Sequence, residues 1–282
     1  MDYKNKDSIL QSIEKDLPLE HINVIDAHGH NGGSLGHWIP YDTPEGIIET
    51  LNRVGINKLC ISSMKSLAND YKLGNQEMID WTNKYPDKFI GLAVANPRYS
   101  EDIYNELTKC FESKGVLGIK IHPATYVHDH PINESGYEPV WEFAKKNNCP
   151  VLTHAGPRTQ FHTCGPEVIA KVASQHPGVN ILIGHCGSYD SWQSLDEYIS
   201  IVKQYDNLYL ETSTMNRFYR AVDYMVNKVG DEKVIFGSDG PFHSIIAEFG
   251  SIVYARVSEK QKENILYYNI AKLLGIEKEI KK

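Results

Sequence analysis

Eight short apolar runs, each bounded by Gly, Pro or polar residues and separated by helix-like segments, recur along this chain. They are INVIDAH (22–28), INKLCISS (56–63), FIGLAVANP (89–97), VLGIKIHP (116–123), PVLTHAG (150–156), NILIGHCG (180–187), NLYLETS (207–213) and KVIFGSDGP (233–241). The strand ends they imply, near residues 28, 62, 96, 122, 154, 185, 212 and 239, lie 26 to 34 residues apart, room for one strand, one helix and two loops. A strand followed by a crossover helix builds parallel sheet. Eight such units in about 250 residues fit a closed (β/α)8 TIM-type barrel. A doubly wound sheet fits less well, because it has fewer strands and a Gly-rich phosphate turn after the first, and no G-x-G-x-x-G follows strand one here. The expectation is a single α/β domain over residues 1–282, with the barrel proper at about 22–241.

Two connecting segments carry helix-start signals. TPEGIIETLNRVG offers a Thr43 cap with Pro44 at the first helical position, and GPEVIAKVASQHP places Pro166 in the same way. Two further helices lie outside the eight units. Ile9, Ile13 and Leu17 fall at helical spacing near the N-terminus, and SEKQKENILYYNIAKLLGI closes the chain. Both are expected on the barrel exterior, with EKEIKK as a solvated tail.

Composition narrows the partners. A net charge of −7 with no Lys/Arg block disfavours nucleic acid and anionic lipid. The first twenty residues mix charges and lack a signal-peptide core, and no apolar run reaches 18 residues. Five scattered cysteines without a C-x-x-C pair read as reduced thiols rather than disulfides or a cysteine zinc site. A soluble cytoplasmic protein acting on a small molecule is expected, with a homo-oligomer left open.

The polar residues that interrupt the runs are where chemistry is expected. His28, Lys120, His122, His154, His185 and Asp239 each fall at the carboxyl end of a predicted strand, the end where barrel enzymes keep their active sites. Side chains alternate along a strand, so His28 and His30 of DAHGH point the same way, with Gly29 leaving room between them. The same parity turns Leu152, Ile181, Ile183 and Ile235 inward and Val151, Leu182 and Phe236 towards the helices. An H-x-H pair with a third imidazole and a carboxylate is the ligand set of a catalytic divalent metal, most often zinc, with one position open for water. A second H-x-H, His128-Asp129-His130, has no apolar run leading into it and is not expected to bind the essential ion.

Taken together, VIDAHGH, GIKIHP, GYEPVWEFAKKNNCPVLTHAG, ILIGHCG, FGSDGP and YYNIAKLLGI, in that order and spacing, resemble the amidohydrolase superfamily over nearly the whole chain. The resemblance is to the amidohydrolase-related branch of metal-dependent hydrolases and aromatic or muconate-type decarboxylases. It implies that His28, His30, His154 and Asp239 hold one metal, and that His185 is a catalytic acid/base or a ligand of a second ion. Asp239 can take the proton of a metal-bound water, whose pKa falls to about 7 on zinc, and His185 can stabilise charge on a carbonyl. Lys120 is either a carbamate bridging two ions, as in binuclear members, or a free cation pairing with Asp239 or a substrate carboxylate. The free cation and one ion are preferred. His122 shares Lys120's inward parity and is expected to touch substrate. Arg158 and Arg217 are candidates for a substrate anion, against surface ion pairs. His162, Cys164, His37, Trp38 and His243 lie in loops above the same face.

The leading expectation is hydrolysis of a small-molecule amide, ester or lactone by metal-activated water. The alternative is non-oxidative decarboxylation of a carboxylated aromatic or muconate-like acid. The superfamily's deoxyribonucleases are disfavoured by Lys120, where they usually carry glutamate, and by the charge. A barrel that binds without turnover is disfavoured because every expected catalytic position is filled.

Overall fold

The structure, a computed structural model, describes residues 7–33, 38–68, 70–123, 130–157, 162–188 and 191–277. Eight parallel strands form one sheet in sequence order: β1 (Ile25–Asn31), β2 (Lys58–Ser63), β3 (Phe89–Val94), β4 (Val116–Ile121), β5 (Val151–Thr153), β6 (Ile181–Ile183), β7 (Leu208–Glu211) and β8 (Val234–Ile235). Backbone bonds close the barrel between β1 and the segment that continues β8. Ala27 N–H donates to Phe236 O at 2.9 Å, Asp239 N–H to His28 O at 2.7 Å and His30 N–H to Gly240 O at 2.7 Å. The predicted (β/α)8 barrel is therefore the fold.

The helices begin where the caps place them. Thr43 Oγ1 accepts from Gly46 N–H with Pro44 in the first turn of Pro44–Val54, and Pro166 opens Pro166–Gln175. Pro suits the first turn because its missing N–H has no partner there anyway. Among the described residues no helix is long and apolar enough to cross a membrane. All five cysteines are buried and unpaired.

Inside the barrel Ile25, Ala27, Cys60, Ile90, Leu92, Leu152, Leu182 and Ile235 form one apolar layer, while the opposite faces of the strands pack under the helices. Here two sequence expectations change. On β6 the parity is reversed: Leu182 faces inward, and Ile181 and Ile183 lie in the outer cluster. Counting back in twos from His185 fails because β6 stops at Ile183 and the chain then turns through left-handed backbone at His185 (φ 59°) and Cys186 (φ 48°). The second correction concerns the C-terminal segment. Tyr267, Ile270, Ala271, Leu273, Leu274 and Ile276 share the interior cluster, so this segment plugs the amino-terminal end of the barrel instead of lying on its outside. The helix Ser8–Glu14 does pack externally, with Ile9 in the outer cluster, but it ends before Leu17, which is 53% exposed. Its cap Asp7 pairs with buried Lys262, and Ser8 N–H donates to Glu259 Oε2 at 2.9 Å.

Candidate active site

Alternation alone does not bring His28 and His30 to the mouth, since Ile25 and Ala27 already face inward. The β1–β2 register runs Asp26↔Leu59 and then Gly29↔Ile61, so β1 carries one extra residue and the parity flips. A Cβ on Gly29 would lie 2.6 Å from the Leu59 side chain in the outer cluster, which leaves His28 and His30 inside. β4 has a comparable shift, Gly91↔Val116 followed by Leu92↔Gly118, ahead of Lys120. Asp239 sits beyond the end of β8 in left-handed backbone (φ 59°), a conformation Asp tolerates better than most residues. Gly237 is required for space: a Cβ there would lie 2.1 Å from Glu211 Oε1 and 2.9 Å from His28 Cβ.

These devices gather His28, His30, Lys120, His122, His154, His185 and Asp239 around one cavity of about 260 Å³ at the carboxyl end of the barrel. Met64, Leu67 and Phe242 supply an apolar wall. Potential ligand atoms of His28, His30 and Asp239 all lie within 4.8 Å of one another. Asp239 Oδ1 is 2.9 Å from His30 Nε2 and 3.4 Å from His28 Nε2. Two imidazoles and a carboxylate meeting at one point in a closed-sided cavity fit a divalent ion. His154 completes the wall, stacked on His122 with ring centroids 3.9 Å apart, and its Nδ1 is 3.1 Å from His185 Nε2.

Beneath these residues lies Glu211, fully buried at the end of β7. Its Oε2 is 2.7 Å from His28 Nδ1 and accepts from Ser213 Oγ at 2.8 Å and His185 N–H at 3.1 Å, while Oε1 accepts from Ser213 N–H at 2.6 Å. A second potential metal group, His28, His185 and Glu211, is also within ligand range. Ser213 Oγ stands within hydrogen-bond reach of all three, at 2.8 Å from His185 Nδ1 and 3.3 Å from His28 Nδ1, so that group reads as a hydrogen-bonded support.

Burial sets the protonation states. It pushes His28 and His154 well below the usual imidazole range, with Lys120 and the neighbouring imidazoles adding to the shift, and brings His185 down to about 3. All three are neutral near pH 7, the form a metal needs. Burial alone would raise Asp239, but His28, His30 and His185 hold it well below the usual carboxylate range. Burial brings Lys120 down to about 8, with Asp239 and Glu211 opposing the shift.

Behind the site, burial pushes Asp26 and Glu248 up to about 8. Asp26 Oδ1 accepts from His28 N–H at 3.1 Å and Ser238 N–H at 2.9 Å, tying β1 to the end of β8. Glu248 is 0% exposed; Asn216 N–H donates to its Oε2 at 3.3 Å and the Thr214 backbone also bonds the carboxyl, and burial outweighs both. Folded chains keep the Glu248 proton up to about pH 8, whereas unfolded chains release it near the ordinary value of 4.5. Between those limits the native state binds more protons, so this group removes stability as pH rises, by at most about 1.4 kcal/mol per pH unit. Glu248→Gln abolishes that term. Urea midpoints at pH 5.5 and 8 should therefore show the variant gaining on the parent at the higher pH, and parallel behaviour would mean that Glu248 is ionised throughout.

Not every predicted residue reaches the cavity. Arg217 is exposed and absent from its lining. Arg158 and His37 lie outside the described residues, as do His128 and Asp129 of the second H-x-H, whose His130 is 3.7 Å from Glu134 on the surface. Trp38 is 88% exposed, and His162 is exposed as well. Cys164 is buried, and His243 Nε2 lies 3.6 Å from Asp239 Oδ2. Sequence reasoning missed Glu211, Ser213 and the apolar wall. A carboxylate ending the apolar run NLYLE was the available signal for Glu211.

The barrel and its histidine-carboxylate cluster define a metal-site enzyme of the TIM-barrel class. A family profile described as amidohydrolase matches residues 25–276, and the chain belongs to that family. A gamma-resorcylate decarboxylase of a Polaromonas species is 20% identical over 314 residues, covering 95% of this chain and 90% of its own length. The crystal structure of dihydroxybenzoic acid decarboxylase from Polaromonas, with bound manganese and 2-nitroresorcinol, superposes with a TM-score of 0.72 at 16% identity, covering 90% of this chain and 97% of that one. That of 5-carboxyvanillate decarboxylase from Novosphingobium aromaticivorans, with manganese and a nitrobenzoic acid, gives 0.68 at 13% identity and covers 91% and 97%.

Proposed function

We propose that the chain is a metal-dependent, non-oxidative decarboxylase of a small hydroxylated aromatic acid. The observation that carries this reading is Lys120, a cation buried to 1% exposure on the cavity wall, with Nζ 2.8 Å from His28 Nε2. Burying an ammonium is expensive unless an anion answers it. A substrate carboxylate beside the metal ligands is such an anion, whereas a neutral ester or lactone offers none. The wall of Met64, Leu67 and Phe242 suits one face of an aromatic ring. The decarboxylases among the similar proteins support the same choice over hydrolysis.

His28, His30, His154 and Asp239 would hold one divalent ion, zinc or manganese, which supplies a Lewis acid that binds and polarises substrate oxygens. The chain's own groups do the rest. Lys120 and His122 hold the carboxylate, and the apolar wall orients the ring and excludes water. Asp239, ionised at rest, accepts the proton of a hydroxyl ortho to the carboxylate and delivers it to the ring carbon that bears the carboxylate. The carbon–carboxylate bond then breaks, carbon dioxide leaves, and the bond's electron pair restores the aromatic ring as a phenolate, which solvent protonates. His185, neutral and bonded to Ser213 on one side and His154 on the other, holds the His154 ring in place beside the ion's ligands.

The test is carbon dioxide release from a panel of ortho-hydroxybenzoic acids by the zinc- or manganese-loaded protein, run beside ester and lactone panels. Release from an aromatic acid and silence on the esters is the expected result. Turnover of esters or lactones with no carbon dioxide from any acid would overturn the reading in favour of hydrolysis.

A further inference from the structure

We infer that Ser213 and Glu211 are positioning residues whose hydrogen-bond chain presets the tautomers of His28, His185 and His154, turning Nε2 of each into the lone-pair nitrogen before any ligand binds. Burial raises the Glu211 carboxyl, but the backbone N–H groups of His185 and Ser213, which can only donate, both point at it, each taking a carboxylate lone pair and opposing that shift. A carboxylate at 2.7 Å from His28 Nδ1 requires that nitrogen to carry the proton. From the other side the Lys120 ammonium, which can only donate, is 2.8 Å from His28 Nε2 and needs a lone pair there. Both neighbours thus demand the same tautomer.

The second branch passes through the hydroxyl. Ser213 Oγ–H donates to Glu211 Oε2 at 2.8 Å, so its oxygen must accept at 2.8 Å from His185 Nδ1–H. The neutral His185 ring then has its lone pair at Nε2, which accepts at 3.1 Å from His154 Nδ1–H. His154 in turn has its lone pair at Nε2. Neutral imidazole in water prefers the opposite tautomer, with the proton on Nε2, so the buried carboxylate imposes an arrangement that solution would not supply. For a metal site this is the ordering of ligands by outer groups. It also makes His185 and His154 respond together to changes at Ser213.

The assignment concerns the metal-free chain and does not depend on which bond the enzyme breaks, so it stands or falls apart from the decarboxylase reading. Long-range 1H–15N correlation of ring nitrogens in the full, chelator-stripped chain reads each tautomer directly. Wild type should place all three protons on Nδ1. In Ser213→Ala, His28 should keep its Nδ1 proton while His185 and His154 move to Nε2–H or to a mixture, and Ser213→Thr should restore the parent pattern. Amide spectra control for folding. Zinc titration gives a second readout, with affinity about tenfold weaker in Ser213→Ala. An Nε2–H tautomer at any of the three sites in wild type, or unchanged His185 and His154 tautomers in folded Ser213→Ala, would overturn the inference.

Discussion

Asp239→Asn is expected to lower carbon dioxide release by a factor on the order of 10³ at saturating metal, the range in which a positioned proton carrier acts. The side chain has two duties in the proposed reaction, holding the ion and moving a proton, and the amide can do neither as an anion. Neighbouring histidines keep Asp239 ionised far into the acid range, so the parent enzyme has this carboxylate ready at any working pH. The amide can still bond His30, which retains the local geometry at 2.9 Å from Oδ1. Metal content must be measured alongside the rate. An Asn variant with a full ion and more than a tenth of parent activity would remove Asp239 from the proton path.

Lys120→Met is expected to lower kcat/KM for the acid substrate by roughly 10² to 10³ while leaving the fold at least as stable. Two unit charges 4 Å apart at an effective dielectric of 20 interact by about 4 kcal/mol, close to three powers of ten. Methionine fills similar volume, and it relieves the chain of a desolvated ammonium that burial already brings down to about 8. Zinc affinity should rise, because no cation then competes for His28 Nε2. Urea denaturation and zinc titration check these two points, and unchanged kinetics with a lowered urea midpoint would make Lys120 a structural cation instead.

The strands were legible because a parallel barrel buries both faces of each strand, and eight near-continuous apolar runs result. His28, His30, His154 and Asp239 were legible for a related reason: a polar residue ending such a run has only the mouth of the barrel to face. What alternation could not supply was register. The extra residue on β1 and the left-handed turn at His185 are backbone events, and nothing in IDAHGH or LIGHCG distinguishes them from uninterrupted strand. Glu211 escaped because its partners, His28, His185 and Ser213, come from three elements. Arg217 follows β7 closely in sequence, but the short helical turn Met215–Arg217 carries it into solvent.

The closure of the barrel has a consequence for synthesis. β1 can pair with β2 soon after both leave the ribosome, yet its other edge waits for Phe236 and Gly240, and the apolar layer inside the barrel waits for Tyr267 to Ile276 to cover it. At usual elongation rates the separation from Ala27 to Phe236 amounts to roughly 10 to 40 s of translation. Throughout that interval a nascent chain displays an unpaired strand edge and an open greasy floor, both of which invite other chains. The stretch from Phe236 to Ile276 therefore sets when the molecule is sealed, and slower passage of the ribosome through it lengthens the vulnerable interval without altering a single side chain.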